Sequence, residues 1–319
     1  MPRIRLRLLL ALGLVAGSAP GLAGAQAPAA PPRQTPAQAN AALPVRAVSP
    51  ELFQVVSRFY DYDRGSPLNA GVISRQERPT YTREKIVFSG MLGSRVPAYL
   101  ALPKARTGRV PVVLLLDGIQ GSKERWFEQD SWPRGPLVTD SLLAAGIGVL
   151  ALDARYHGER VAESDFRAPN LNGAAFQELF IPTVIDYRRA LDYLATRPEV
   201  DTTRIGAMGL SMGGMMSFAL ASIDPRVRVV AAGVTPVSAF KDADQIGVSP
   251  QTFAPYVRNV PVLMQMGRTD GFYNEADVQA FYNLIPGTRK ELVWYDSGHR
   301  LPEEYAPRAV AWLKQYLAR

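Results

Sequence analysis

A chain of 319 residues, 47% of them hydrophobic, is long enough to bury one large core, and α/β folds often keep such lengths in a single domain. It has no cysteine, which excludes disulfides and a thiolate nucleophile, and its two histidines, His157 and His299, give no basis for a histidine-rich metal centre. The net charge of +7 gathers in no Lys/Arg stripe or aromatic-interleaved basic patch, so nucleic-acid binding is not supported either.

Arg3, Arg5 and Arg7 precede the apolar run Leu8 to Ala16, and Ala23-Gly24-Ala25 fits an A-x-A cleavage site. Residues 1–25 therefore read as a secretory signal peptide cleaved near Ala25, which places the mature protein outside the cell or in a periplasm. A membrane anchor is the rival reading, but the run is far short of the roughly 20 residues that span a bilayer. Residues 26–50 are dominated by Ala, Pro, Gln and Asn and read as a flexible linker. Leu52, Val55, Val56 and Phe59 recur at helical spacing, so residues 51–84 are expected to form a helical extension packed on the main domain, 85–319.

In that domain, Lys85 to Phe88 and Val96 to Leu102 read as the arms of a hairpin, and Val110 to Leu116 as a central strand buried on both faces. Leu137 to Ala145 reads as a helix ended by Gly146, Ile147 to Leu152 as a strand, and Phe176 to Thr196 as a long helix. The strand Arg204 to Met208 leads into a helix over Met212 to Ser222. Strands at Val227 to Ala232 and Val260 to Met266, a helix at Glu275 to Leu284, a strand at Glu291 to Tyr295 and a helix at Pro302 to Leu317 complete the pattern. Such alternation implies an α/β fold with a mostly parallel central sheet and helices on both faces. Ligands of such sheets bind beyond the carboxyl ends of the strands, where Asp117, Asp153, Ser211, Asp270 and His299 all fall.

Gly209-Leu210-Ser211-Met212-Gly213 sits between strand and helix, and a turn that sharp brings the residues two before and two after the serine too close to backbone for a side chain. Ser211 is thus a candidate nucleophile, with an ordinary turn serine as the alternative. A serine hydroxyl needs a base, and the base needs a carboxylate that fixes its tautomer. His299, preceded by Gly298, and Asp270 fit these roles; His157 is the other possible base, and a turn carboxylate is the alternative reading of Asp270. The order serine, acid, histidine is the one found in α/β-hydrolases.

On the elbow Gly209 to Gly214, the turn Gly267-Arg268-Thr269-Asp270 and the segment Ser297-Gly298-His299, the chain from Lys85 onward resembles the α/β-hydrolases, nearest their dienelactone hydrolase-like and acetyl-xylan-esterase-like branches. The resemblance implies a serine hydrolase cleaving carboxylic esters through an acyl-enzyme, with no cofactor and no metal. It also gives His157 a loop-shaping role in Asp153-Ala154-Arg155-Tyr156-His157-Gly158. Met212 would supply one backbone donor of an oxyanion hole, and the loop after Leu116 the other, with Ile119 ahead of Gln120. That loop departs from the family's usual His-Gly, since Asp117-Gly118 stands there. Asp242, Asp244 and Asp296 are rival acids.

Segments Gln120 to Pro136, with Trp126, Phe127 and Trp132, and Val234 to Val257, with Phe240, Phe253 and Tyr256, can wall a pocket or serve packing. The expected partner is a small-molecule ester, an acylated sugar among the candidates, without nucleic acid or membrane insertion. A prolyl-oligopeptidase-like peptidase is the first alternative, although too few residues precede the strands for a propeller. A catalytically silent scaffold that binds a ligand is the second.

Overall fold

The computed structural model describes residues 43–163, 173–239, 241, 245–257 and 259–317. The chain divides into a segment Met1–Arg33 and a unit Gln34–Arg319, and every described residue belongs to the second. The signal peptide read over 1–25 and most of the linker read over 26–50 lie outside the described residues. The last linker residues are held on the domain rather than free: Arg46 N–H donates to Gln251 Oε1 at 3.0 Å, and the Leu43 and Val48 carbonyls accept from Lys241 Nζ and the Tyr256 hydroxyl.

One nine-stranded sheet organises the unit, in the order β1-β2-β3-β5-β4-β6-β7-β8-β9. β1 (Gly71–Glu77), β2 (Tyr81–Ser89) and β3 (Arg95–Pro103) form an antiparallel meander, and β3 runs antiparallel to β5 (Gly148–Leu152). The other strands, β4 (Val110–Leu116), β6 (Val200–Leu210), β7 (Val227–Gly233), β8 (Val262–Gly267) and β9 (Lys290–Tyr295), continue parallel. Every residue of β4 and β5 is buried, which requires cover on both faces. The helices provide it in two groups: α2 (Gly135–Ala144) packs with α7 (Tyr305–Leu317), and α3 (Gly173–Ala195) with α4 (Met212–Ile223). α6 (Glu275–Leu284) bridges β8 and β9 in the chain, and the single turn α5 (Pro250–Phe253) lies in the β7–β8 connection.

Two parts differ from the sequence expectation. The sheet begins at Gly71, inside the segment expected to be a helical extension, because β1 is exposed along its whole length and pairs only with β2. An edge strand with neither face buried carries no hydrophobic alternation to read. Helix α1 (Pro50–Arg58), capped by the Ser49 hydroxyl accepting from Leu52 N–H at 3.3 Å, is present but turned. Of the four spaced apolar residues only Val56 is buried, while Leu52, Val55 and Phe59 face outward. Phe53 sets this orientation by stacking on Tyr256 at 3.8 Å and meeting Phe253 edge-on at 6.4 Å.

The sheet order explains where a site can form. β4 lies between β5 and β6, with Leu116 paired to Gly209 in parallel register, so the loops that leave β4 and β6 emerge side by side.

Candidate active site

Ser211 lies between β6 and α4 with φ 57° and ψ −121°, a conformation that costs about 1–3 kcal/mol for a residue with a side chain. The neighbouring backbone imposes it. A Cβ on Gly209 would lie 2.0 Å from the Gly213 carbonyl oxygen, and one on Gly213 would lie 2.0 Å from that of Leu116. Both glycines of the motif are therefore steric requirements. Ser211 N–H donates to the Gly233 carbonyl at 2.9 Å, which ties the turn to β7.

Asp270 and His299 arrive from the two loops beyond β8 and β9. Arg268 N–H donates to the Tyr295 carbonyl at 2.9 Å and Thr269 N–H to that of Ser297 at 3.0 Å, so the loops are joined backbone to backbone. The approach is close enough that a Cβ on Gly267 would meet the Gly298 carbonyl at 2.3 Å. His299 Nδ1 donates to Asp270 Oδ2 at 2.7 Å, which leaves Nε2 as acceptor for the Ser211 hydroxyl at 2.8 Å. Asp270 is buried and its other oxygen accepts from Phe272 N–H at 2.9 Å. The rings of Phe272 and Trp132 lie 4.5 and 5.6 Å from the imidazole. The arrangement can take a proton from the serine oxygen and hold the resulting imidazolium against a carboxylate.

The structure thus brings Ser211, Asp270 and His299 together and leaves their sequence rivals elsewhere. The Asp296 carboxylate is 97% exposed and lies 3.6 Å from Arg268, whereas Asp242 and Asp244 fall outside the described residues. His157 is buried with Nδ1 donating to the Arg155 carbonyl at 2.8 Å, and burial lowers its proton affinity. Among the described residues it makes no hydrogen bond to Ser211, whose hydroxyl meets His299.

A cavity of about 320 Å³ opens beside the serine. Gly118, Ile119, Gln120 and Met212 line one side, and Trp132, Phe176, Met215, Pro236 and Phe272 supply apolar wall. Met212 is the first residue of α4, so its N–H is one of those a helix leaves without an internal partner, and Ile119 lines the same cavity from the neighbouring loop after β4. Asp117 shapes that loop: its two oxygens accept from Gly118 N–H at 2.7 Å and Ser122 N–H at 3.2 Å. Burial nevertheless pushes its carboxyl up to about 6. Of the aromatic residues weighed for the pocket, Trp132 lines it. Trp126 is buried in the core, Phe253 and Tyr256 hold α1, and Phe240 lies outside the described residues.

Sequence reading missed the cation beneath the loop. Lys123 Nζ, fully buried, meets Asp153 Oδ2 and Glu124 Oε1 at 2.7 Å and Glu159 Oε1 at 2.5 Å. Asp153 also accepts from Lys123 N–H and Glu159 N–H, so one carboxylate fastens the loops after β4 and β5 to each other. Burial would pull the ammonium down, but the surrounding carboxylates, Asp153 foremost, raise it above the ordinary lysine range. Among the described residues these three carboxylates are the group spaced to hold a metal ion, and the ammonium already lies among them. Lys123→Met leaves Asp153 buried without its counter-charge, and we expect a loss of about 3–5 kcal/mol in urea unfolding. A loss below about 1 kcal/mol would show that the two loops hold without the pair.

Comparison with known proteins agrees with this architecture. The chain is 32% identical over 170 residues to YtaP of Bacillus subtilis (strain 168), described as a hydrolase, a match covering 51% of this chain and 56% of that protein. It spans little more than half the length of the curated relatives it matches. Its fold is similar to acetyl xylan esterase 1 from Thermoanaerobacterium sp. JW/SL YS485, with a TM-score of 0.68, 22% identity and coverage of 89% of this chain and 99% of that one. An acetyl xylan esterase from Paenibacillus sp. R4 superposes with a TM-score of 0.61 at 20% identity, covering 84% and 94% of the two chains. The family model for acetyl xylan esterase (AXE1) matches residues 76–258, a span that includes Ser211 and ends short of Asp270 and His299. With more than half of its length matched, the chain belongs to the acetyl xylan esterase (AXE1) family.

Proposed function

We propose that the protein is a serine esterase that cleaves carboxylic esters of small molecules, short-acyl esters of sugars among them, through an acyl-enzyme. The observation that carries this reading is the pair of hydrogen bonds linking Ser211, His299 and Asp270 at the edge of an apolar cavity. Ser211 Oγ attacks the ester carbonyl while its proton passes to His299 Nε2, and the tetrahedral oxyanion takes hydrogen bonds from the Met212 and Ile119 N–H groups. Collapse breaks the bond to the alcohol, which leaves with the proton from His299, and Ser211 keeps the acyl group. Water then loses a proton to His299 as it attacks the acyl carbon, and collapse of the second tetrahedral intermediate breaks the bond to Ser211 Oγ, which takes the proton back from His299 as the acid leaves. Asp270 keeps the Nδ1–H tautomer throughout, and no cofactor enters.

We also propose export of the protein, on the N-terminal arginines, apolar run and Ala23-Gly24-Ala25. Among the described residues no helix is long and apolar enough to cross a membrane.

The two histidines test the mechanism. Turnover of a neutral ester falls on acidification, because a protonated imidazole cannot accept the serine proton. His299→Gln removes turnover, and His157→Gln keeps the same acid limb and a substantial part of the rate, since its ring is buried on the Arg155 carbonyl. If pH profiles of kcat/KM show the two phenotypes exchanged, the base is His157 and the proposal fails.

A further inference from the structure

The cavity beside Ser211 contains a charge that the esterase reading leaves without a task. Arg125 lines it from the short turn Lys123–Trp126, half-buried, on the same cavity as Ser211 and His299. No aspartate or glutamate is among the lining residues. Among the described residues the guanidinium makes no hydrogen bond and no ion pair. The acids near it form no ion pair with it: Glu124 bonds Lys123, and Asp117, whose charge attracts the guanidinium through space, has both oxygens taken by backbone N–H groups. Its neighbour Lys123 shows the contrast, since that ammonium is enclosed by three carboxylates.

A guanidinium half removed from water and facing an apolar wall is unfavourable unless something in the cavity compensates it. Its planar fork matches a carboxylate, with two parallel N–H donors for two oxygens. The other lining groups are apolar except for Gln120, the serine and the histidine, so the rest of the cavity offers shape but no second fixed charge. A neutral acyl ester would leave Arg125 unpaired in the occupied, drier cavity. An ester that also carries a carboxylate would pair it and gain orientation from the fork.

We propose that the enzyme prefers esters bearing a carboxylate, in the acyl or the alcohol part, and that Arg125 is the residue that binds this group. The inference rests on the esterase reading, and it adds a substrate class to it. Arg125 selects the substrate, whereas bond breaking stays with Ser211 and His299.

Two matched probe pairs test it by kcat/KM. In the first the charge is on the acyl side, 4-nitrophenyl hemiglutarate against 4-nitrophenyl pentanoate; in the second it is on the leaving group, 4-acetoxybenzoate against its methyl ester. In at least one pair the wild type favours the anion and Arg125→Gln lowers the anion-to-neutral ratio by about 10- to 100-fold, as expected for a lost charge-assisted hydrogen bond. Arg125→Lys restores part of the ratio, because a point charge replaces a fork. An unchanged ratio in both pairs overturns the proposal. So does an equal loss on the anionic and neutral members, which would mean that Arg125 serves the loop through Asp117. Calorimetric binding of glutarate and benzoate needs no turnover, and at least one of the two should bind with Arg125→Gln weakening it by a similar factor. A wild type that cleaves none of the four esters but binds either anion through Arg125 therefore refutes the esterase reading and keeps the anion site. Binding of neither refutes the site.

Discussion

Ser211→Ala lowers kcat on a neutral ester by at least about a thousandfold and abolishes covalent labelling by a fluorophosphonate, because members of such a set act as a unit and removing the nucleophile removes the acyl-enzyme path. The substitution is mild as structure. Alanine retains the Cβ that already tolerates φ 57°, and the N–H to Gly233 is unaffected, so the folded state should survive with an unchanged circular dichroism spectrum. On the proposed mechanism, residual turnover of the variant measures what the cavity and the Met212 and Ile119 N–H groups contribute on their own. Labelling that persists in Ser211→Ala, mapped by mass spectrometry to another residue, would show that the sharp turn is only architecture.

The residues that were legible in the sequence share one property: wherever their partners come from, they leave a local trace in the chain, an apolar run, a short motif or a position just past a strand. β4 and β5 are continuous apolar runs because both faces are covered, and the glycines around Ser211 mark a sharp turn that is packed against its own backbone at Gly209 and against the end of β4 at Gly213. The approach of Asp270 and His299 could be anticipated because each lies just past a strand in a parallel sheet, whose carboxyl ends share one rim. What was not legible depends on distant segments. β1 is exposed on both faces and exists as a strand only because β2 offers an edge. The facing of α1 depends on Phe253 and Tyr256, about two hundred residues away in the chain. Lys123 and Arg125 are two residues apart on one turn, but one is enclosed by Asp153 and Glu159 from beyond β5 and the other enters a cavity. No local pattern separates them. The aromatics behaved similarly, since Trp126 packs in the core and Trp132 reaches His299 from the same loop.

Asp270→Asn is the sharpest test of that convergence, and kcat on a neutral ester should drop by about three to four orders of magnitude. Asparagine fills the same buried space and can still accept from Phe272 N–H, so the loop between β8 and α6 keeps its form and thermal unfolding changes little. The loss is electronic. An amide facing Nδ1 can donate as well as accept, which allows the ring to carry its proton on Nε2, where it can no longer take one from Ser211. An imidazolium formed in the transition state would also lose the carboxylate now 2.7 Å away. Asp296→Asn supplies the control from the same loop as His299. Its carboxylate is exposed and faces Arg268, so a rate within a few-fold of wild type is expected, in line with the small worth of exposed ion pairs. Asp242→Asn should be equally mild. If it is instead the inactive variant while Asp270→Asn turns over normally, the acid that orients His299 comes from the loop after β7, and the bond to Asp270 is a structural contact.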